Sequence, residues 1–142
     1  MIKFGTDGWR AIIGEDYTFS NVKKAAQAYA DFLKNKNKKN LKIVIGFDTR
    51  FLSPEFAKTA ASVLAANNIK VSIFKSALPS PCLCFAIKRY MFDGGIMITA
   101  SHNSANYNGI KIKTASAGPA GLKETKAIEN CSVSLKLKIL II

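Results

Sequence analysis

The sequence predicts an α/β domain, a three-layer α/β/α sandwich around a mixed, mostly parallel sheet. Three observations carry this. Short apolar runs rich in β-branched residues, at Lys42–Phe47, residues 69–74 and residues 94–100, have the length and composition of buried strands. Segments of helical periodicity separate them, and each is long enough for a parallel crossover. The chain has 142 residues, 49% hydrophobic and 21% charged, which suffices for one domain with a core and excludes a disordered or collagen-like chain.

Each element follows in order. Residues 20–35 place Val22, Ala25, Ala26, Tyr29, Phe32 and Leu33 on one stripe at i, i+3, i+4 and i+7, and Ser20 can cap the first turn. The lysine run from Lys34 to Lys39 then reads as a solvated connection. After the strand at Lys42–Phe47, Ser53 supplies an N-cap and Pro54 the first helical position. That helix passes through Phe56, Ala57, Ala60, Ala61 and Leu64 and stops at Asn67-Asn68. Residues 69–74 close a strand–helix–strand unit. A third helix starts near Pro81 and runs to about Tyr90. Residues 94–100 form another buried strand, and Asn108-Gly109 turns the chain into an antiparallel partner at 110–113. From Ser132, polar and apolar residues alternate through Val133, Leu135, Leu137 and Ile139, an edge-strand pattern that would be sticky if exposed.

Composition also bounds the setting. Twenty-one Lys and Arg against nine Asp and Glu give a net charge of +12, which attracts polyanions and phosphorylated metabolites alike. The basic residues are not gathered in one arm, and aromatic platforms for single strands are lacking, so no specific nucleic-acid partner is expected. No apolar run reaches the ~20 residues of a membrane span, and the start of the chain turns polar at once. Cys82, Cys84 and Cys131 are odd in number and at no zinc spacing, so reduced thiols and a cytoplasmic location are expected.

The chemistry concentrates in Thr99-Ala100-Ser101-His102-Asn103-Ser104-Ala105-Asn106-Tyr107-Asn108-Gly109-Ile110-Lys111. A buried strand delivers a hydroxyl, the sole histidine, three amides and a lysine to its C-terminal end, where ligands bind in open α/β sheets. Donors this dense can hold an anion. An Asn-Gly turn would bring Lys111 back beside Ser101. Two further loops add charge, Gly5-Thr6-Asp7-Gly8-Trp9-Arg10 and Gly46-Phe47-Asp48-Thr49-Arg50. Taken singly, Arg10 and Arg50 serve equally well as ion-pair partners of Asp7 and Asp48, and Ser101 as an ordinary turn serine.

Taken together, Phe4-Gly5-Thr6-Asp7-Gly8-Trp9-Arg10, Asp48-Thr49-Arg50, Thr99-Ala100-Ser101-His102-Asn103 and Tyr107-Asn108-Gly109-Ile110-Lys111 resemble the α-D-phosphohexomutases in order and spacing. That family includes phosphoglucomutase and phosphomannomutase. The resemblance runs over residues 2–129 and outweighs the turn-serine reading of Ser101. It implies that residues 1–129 form the first of four domains, the α/β/α domain with the phosphoserine loop, and that residues 130–142 are an atypical tail. The implied activity is an isomerase of carbohydrate metabolism, working as an intramolecular phosphotransferase. It interconverts hexose 1-phosphate and hexose 6-phosphate, with glucose or mannose as the sugar and its 1,6-bisphosphate as intermediate and activator.

The resemblance also implies roles. Ser101 carries the phosphoryl group, and Lys111, Arg10 and His102 line the reaction centre with it. Thr6, Arg10, Ser101, His102, Asn103 and Lys111 contact substrate or phosphate, and Leu78-Pro79-Ser80-Pro81 matches a proline turn near the same site. His102, as the immediate neighbour of Ser101, suits loop shaping or phosphate contact better than proton abstraction. A magnesium ion touches the phosphate on Ser101. Its other ligands belong to an Asp-Gly-Asp-x-Asp run on the second domain, and this chain has no such run. Phosphoryl transfer spreads charge over the equatorial oxygens, so cations and positioning supply most of its catalysis.

The chain departs from the family in three ways. Ser104 stands where the family has proline, the sugar and distal phosphate loops of the later domains are missing, and the segment after Glu129 does not continue as the family does. A truncated or frameshifted product is therefore expected, inactive alone and completed by three further domains in a full-length protein. The competing readings are an inactive fragment and a basic polyanion-binding module.

Overall fold

The computed structural model describes residues 2–5 and 7–133. In chain order these form β1 (Trp9–Ile12), α1 (Phe19–Lys34), β2 (Lys42–Phe47), α2 (Ser53–Ala66), β3 (Lys70–Ile73), α3 (Ser80–Arg89), β4 (Gly94–Ile98), β5 (Tyr107–Thr114) and α4 (Leu122–Val133). The strands lie in the order β1-β5-β4-β2-β3. β2 runs parallel to both β3 and β4, whereas β5 is antiparallel to β4 and β1. One reversed strand among five makes the sheet mixed and mostly parallel, as expected.

Alternation sorts the side chains between two faces. Ile43, Ile45, Ile96, Ile98, Ile110 and Ile112 point into the main core, with the apolar faces of α1, α2 and α4. Val44 and Met97 point the other way, onto Leu83 and Ile87 of α3. The three layers are thus helix, sheet, helix. α3 packs against β2 and β4. Lys111 pairs with Met97 in register and shares its face, as does Arg10 opposite Gly109, so both cations lie on the α3 side of the sheet beyond that helix.

Several boundaries differ from the sequence reading, each for a physical reason. The cap of α1 is Thr18, whose Oγ1 accepts from the Asn21 amide at 3.2 Å, and Ser20 lies inside the helix. The earlier start lets Phe19 pack against Phe56, the rings tilted with centroids 4.6 Å apart. Ser53 does not cap α2 either: Leu52 holds that position at φ 58°. The Ser53 hydroxyl is instead buried, donating to Asp48 Oδ1 and accepting from Asn108 Nδ2, both at 2.9 Å.

Asn108-Gly109 is not a turn. Both residues sit inside β5, opposite Ala11 and Arg10, and the chain reverses earlier, over residues 99–106. Asn108 is buried because its amide binds Ser53. Gly109 is required because a Cβ there would lie 2.6 Å from the Thr99 carbonyl oxygen and 2.7 Å from that of Trp9. Both obstacles are backbone, so neither can rotate away. Gly109→Ala should therefore destabilise the domain by about 2–3 kcal/mol, the cost of overpacking a close-packed strand. Urea titration of the two proteins checks this, and an unchanged midpoint would contradict the strand geometry.

β1 lies where a glycine-rich loop was expected, and α4 was not anticipated. Ser132 and Val133, where the alternation begins, are the last residues of α4. The rest of the proposed edge strand, with Leu135, Leu137 and Ile139, lies outside the described residues. The lysine run is tied to the fold: Lys36 pairs with Glu124 at 3.5 Å, and Lys38 pairs with Asp93. The three cysteines are free thiols. Among the described residues no helix is long and apolar enough to cross a membrane.

Candidate functional site

β4 ends at the fully buried Ile98, and the chain then turns over residues 99–106 at the C-terminal edge of the sheet. Ser101 is exposed and adopts φ 56°, a left-handed backbone that costs a non-glycine residue ~1–2 kcal/mol. Something must hold it there. On one side the Ser101 amide donates to Thr99 Oγ1 at 3.0 Å. On the other side stands Arg50, delivered from the end of the neighbouring β2. Its Nη1 donates to the carbonyl oxygens of Ser104 and Tyr107 at 2.7 and 3.0 Å. Its Nη2 donates to those of Ser101 and Asn103 at 2.9 and 2.6 Å. Asp48 anchors the guanidinium through Nε at 3.3 Å, so the expected ion pair exists.

Arg10 reaches the same loop by another route, and Lys111 is linked to it only through Asp7. Arg10 Nη1 donates to Asn103 Oδ1 at 2.9 Å, and its Nη2 lies 3.6 Å from Asp7. Lys111, a buried residue, donates to the same carboxylate oxygen of Asp7 at 2.5 Å. A chain of polar contacts therefore runs from the serine loop through Asn103, Arg10 and Asp7 to Lys111. Lys111 joins it through the pairing of β5 with β4, not through an Asn-Gly turn. Gly8 makes the contact with Asp7 possible. It adopts φ 100°, and a Cβ there would stand 2.4 Å from the Ile110 carbonyl oxygen, so only glycine lets the segment cross β5 this closely.

Of the other candidates, His102 is exposed and makes no hydrogen bond among the described residues, while Thr6 lies outside them. An open cleft beside the loop is lined by Asp48, Thr49, Arg50, Phe51, Ser101 and Asn103. Leu78 and Pro79 border an adjoining hollow with Asp48 and Thr49, which puts the proline turn beside the site. One supporting residue escaped the sequence reading. Tyr17 donates to the Gly109 carbonyl at 3.0 Å from a fully buried ring, packed between Trp9 (tilted) and Phe56 (edge-on). Burial, and secondarily the Asp48 carboxylate, push its hydroxyl well above the usual phenol range, so it stays a neutral donor. Asn108, which the sequence places in this stretch as a turn residue, is a second support: it is buried in β5 against Ser53.

The donor set of the described residues does not fit a magnesium ion by itself. Nowhere among them do three His, Cys, Asp or Glu side chains converge. The two carboxylates flanking the loop, Asp7 and Asp48, are each already engaged by cations. Octahedral oxygen coordination needs more than this.

Residues 1–137 match the family profile for phosphoglucomutase/phosphomannomutase, alpha/beta/alpha domain I. The chain is 44% identical over 121 residues to the phosphoglucomutase of Staphylococcus saprophyticus, which covers 83% of this chain and 22% of that protein. It is 38% identical over 110 residues to the phosphoglucosamine/phosphogalactosamine mutase of Sulfurisphaera tokodaii, covering 77% of this chain and 23% of the relative. The chain thus spans about a fifth to a quarter of the length of such relatives. Among solved structures, a protein assigned as a phosphomannomutase from Thermus thermophilus superposes with a TM-score of 0.88 at 40% identity, over 92% of this chain and 30% of that one. A profile match along nearly the whole chain, joined to a shared backbone at this identity, places the protein in the phosphoglucomutase/phosphomannomutase family, as its α/β/α domain I.

Proposed function

We propose that the chain is the phosphoserine-bearing part of a cytoplasmic phosphohexomutase, acting on glucose or mannose phosphates. The observation that supports this best is the Ser101 hydroxyl itself. It is exposed at the C-terminal edge of β4 and makes no hydrogen bond among the described residues, on a loop whose backbone is fixed from both sides. In the proposed cycle the bond from Ser101 Oγ to phosphorus breaks as a hexose hydroxyl oxygen forms its own bond to phosphorus. The proton that hydroxyl loses is balanced by the one Ser101 Oγ takes up as it leaves as the free hydroxyl. The bisphosphate so formed then returns its other phosphoryl group to Ser101 Oγ. Arg10 and Lys111 offset the charge of the transferring group, and Asn103 holds Arg10 at the loop. His102 contacts the phosphate, as does Thr6. Residues 1–129 carry this role, and residues 130–142 lie beyond it.

A bound magnesium ion would screen the phosphate on Ser101. Its remaining ligands would come from outside the described residues, as would the recognition of the sugar. Glucose or mannose 1,6-bisphosphate serves as activator by phosphorylating Ser101. Intact-mass and peptide mass spectrometry of the chain purified from its own cell test the reading. Phosphate on the peptide's Ser101 supports it, and phosphate confined to any other serine overturns it.

The paired cations give a further expected result. Inorganic phosphate should bind weakly at the loop, because it competes with the Asp7 carboxylate for Arg10 and Lys111. Exchanging both cations for methionine should weaken this binding about tenfold or more, whereas Asp7→Asn should strengthen it severalfold by freeing them. Phosphate titration followed by amide chemical shifts distinguishes the variants. Equal affinities in all three proteins would show that the anion sits elsewhere.

A further inference from the structure

We infer that Arg50 is the positioning residue of the phosphoryl-carrying loop: it sets the backbone at Ser101 and, through Asn103, the place of Arg10, without touching the phosphate. The inference rests on Ser101 as phosphoryl carrier, although its structural half stands alone. The argument begins with a donor count. A guanidinium carries five N–H groups. Nη1 spends its two on Ser104 and Tyr107, Nη2 its two on Ser101 and Asn103, and Nε faces Asp48. None is left for a ligand, and Asp48 offsets the charge. What Arg50 contributes is therefore shape.

That shape is needed. Ser101 sits in a sparsely populated backbone region, which persists only where its surroundings over-determine it. Thr99 fixes the amide before the turn, and Arg50 gathers four carbonyls spread over residues 101–107 onto one rigid plane. The Asn103 carbonyl is one of them, and the side chain of Asn103 is what Arg10 donates to at 2.9 Å. One fork thus aligns the nucleophile and one of its cations. A lysine in this place would keep the charge and lose the plane, since an ammonium presents three donors from a single point.

The test uses the full chain with Arg50→Lys and Arg50→Ala. Two quantities are followed: hydrogen exchange of the amides in 101–107 against those in β4, and phosphoryl uptake at Ser101 from glucose 1,6-bisphosphate. In both variants loop amides should exchange about tenfold faster or more while β4 stays protected, and uptake should fall about tenfold or more. Millimolar ethylguanidinium should partly restore both in Arg50→Ala but not in Arg50→Lys, where the lysine fills the space. A merely stabilising residue would not show such selective rescue. Unchanged loop exchange and uptake in Arg50→Lys would overturn the inference, as would loss of protection throughout the domain with no recovery on adding ethylguanidinium. If the unmutated chain takes up no phosphoryl group, the phosphoserine reading fails. Loop exchange and its rescue then decide the role of Arg50 by themselves.

Discussion

Ser101→Ala should abolish phosphoryl uptake from glucose 1,6-bisphosphate, a loss of ~10⁴-fold or more, because in the proposed cycle Ser101 is the covalent nucleophile and its removal leaves no route through the same intermediate. Three hydroxyls of the neighbouring Ser and Thr residues are already engaged. Ser104 Oγ is committed to Asn106 Oδ1 at 2.7 Å, and Ser53 is fully buried between Asp48 and Asn108. Thr99 Oγ1 is occupied by the Ser101 amide. The alanine should leave the fold intact, since the Ser101 side chain is exposed and holds no partner among the described residues. The loop hydrogen bonds to Ser101 run through its backbone and survive. Ser101→Thr should also lose most of its uptake, because a β-branched residue is strained at φ 56°. Peptide mapping after incubation with the bisphosphate checks both. Label on Ser104 or Ser80 in the alanine variant, at the level of the unmutated chain, would remove Ser101 from the mechanism.

The residues of this site were more legible in the sequence than their contacts. Ser101, Asn103, Arg10 and Lys111 stand out because a buried strand ending in polar residues marks a ligand edge, and because four short stretches resemble one family in order and spacing. β2 was legible to the residue, since a strand buried on both faces reads as an unbroken apolar run. What each cation binds was not. Lys111 and Asp7 are 104 positions apart, Arg10 and Asn103 are 93 apart, and Arg50 reaches carbonyls 51–57 positions away. Those pairings are set by β5 lying between β1 and β4, a sheet order no local pattern encodes. The Asn-Gly error has the same root. Local turn chemistry predicts a reversal at Asn108-Gly109, but the buried hydrogen bond to Ser53 and the crowding around Gly109 come from elements more than fifty residues away or across the sheet. β1 and α4 were missed for a simpler reason. β1 is four residues long beside glycines, and α4 buries only Thr125 and Ile128 among its described side chains, too weak a stripe to announce a helix.

Assayed by itself, this chain should interconvert glucose 1-phosphate and glucose 6-phosphate more than about a thousandfold slower than the phosphoglucomutase of Staphylococcus saprophyticus. Catalysis requires interactions stronger in the transition state than in the ground state, and correct placement of bound reactants alone is worth ~7–11 kcal/mol. Among the described residues Ser101 lines an open cleft, and Arg10 and Lys111 join its loop from behind, through Asn103 and Asp7. That cleft is lined by residues 48–51 with Ser101, Asn103 and Ala105, and among the described residues no further wall closes it over a sugar. The cations share one carboxylate, Asp7, so part of their field is already spent. No converging carboxylates complete a metal site among these residues, and losing one well-placed electrostatic partner typically costs ~10²–10³ in rate. Single phosphoryl uptake at Ser101 is less demanding than turnover, because it does not require the bisphosphate to be held and reoriented between two half-reactions. The two measurements should therefore separate: slow stoichiometric labelling of Ser101, with isomerisation near background. A coupled assay with magnesium and glucose 1,6-bisphosphate, run beside the staphylococcal enzyme, reads the second quantity. Turnover within tenfold of that enzyme, abolished by Ser101→Ala, would show that this sheet edge completes the reaction centre by itself.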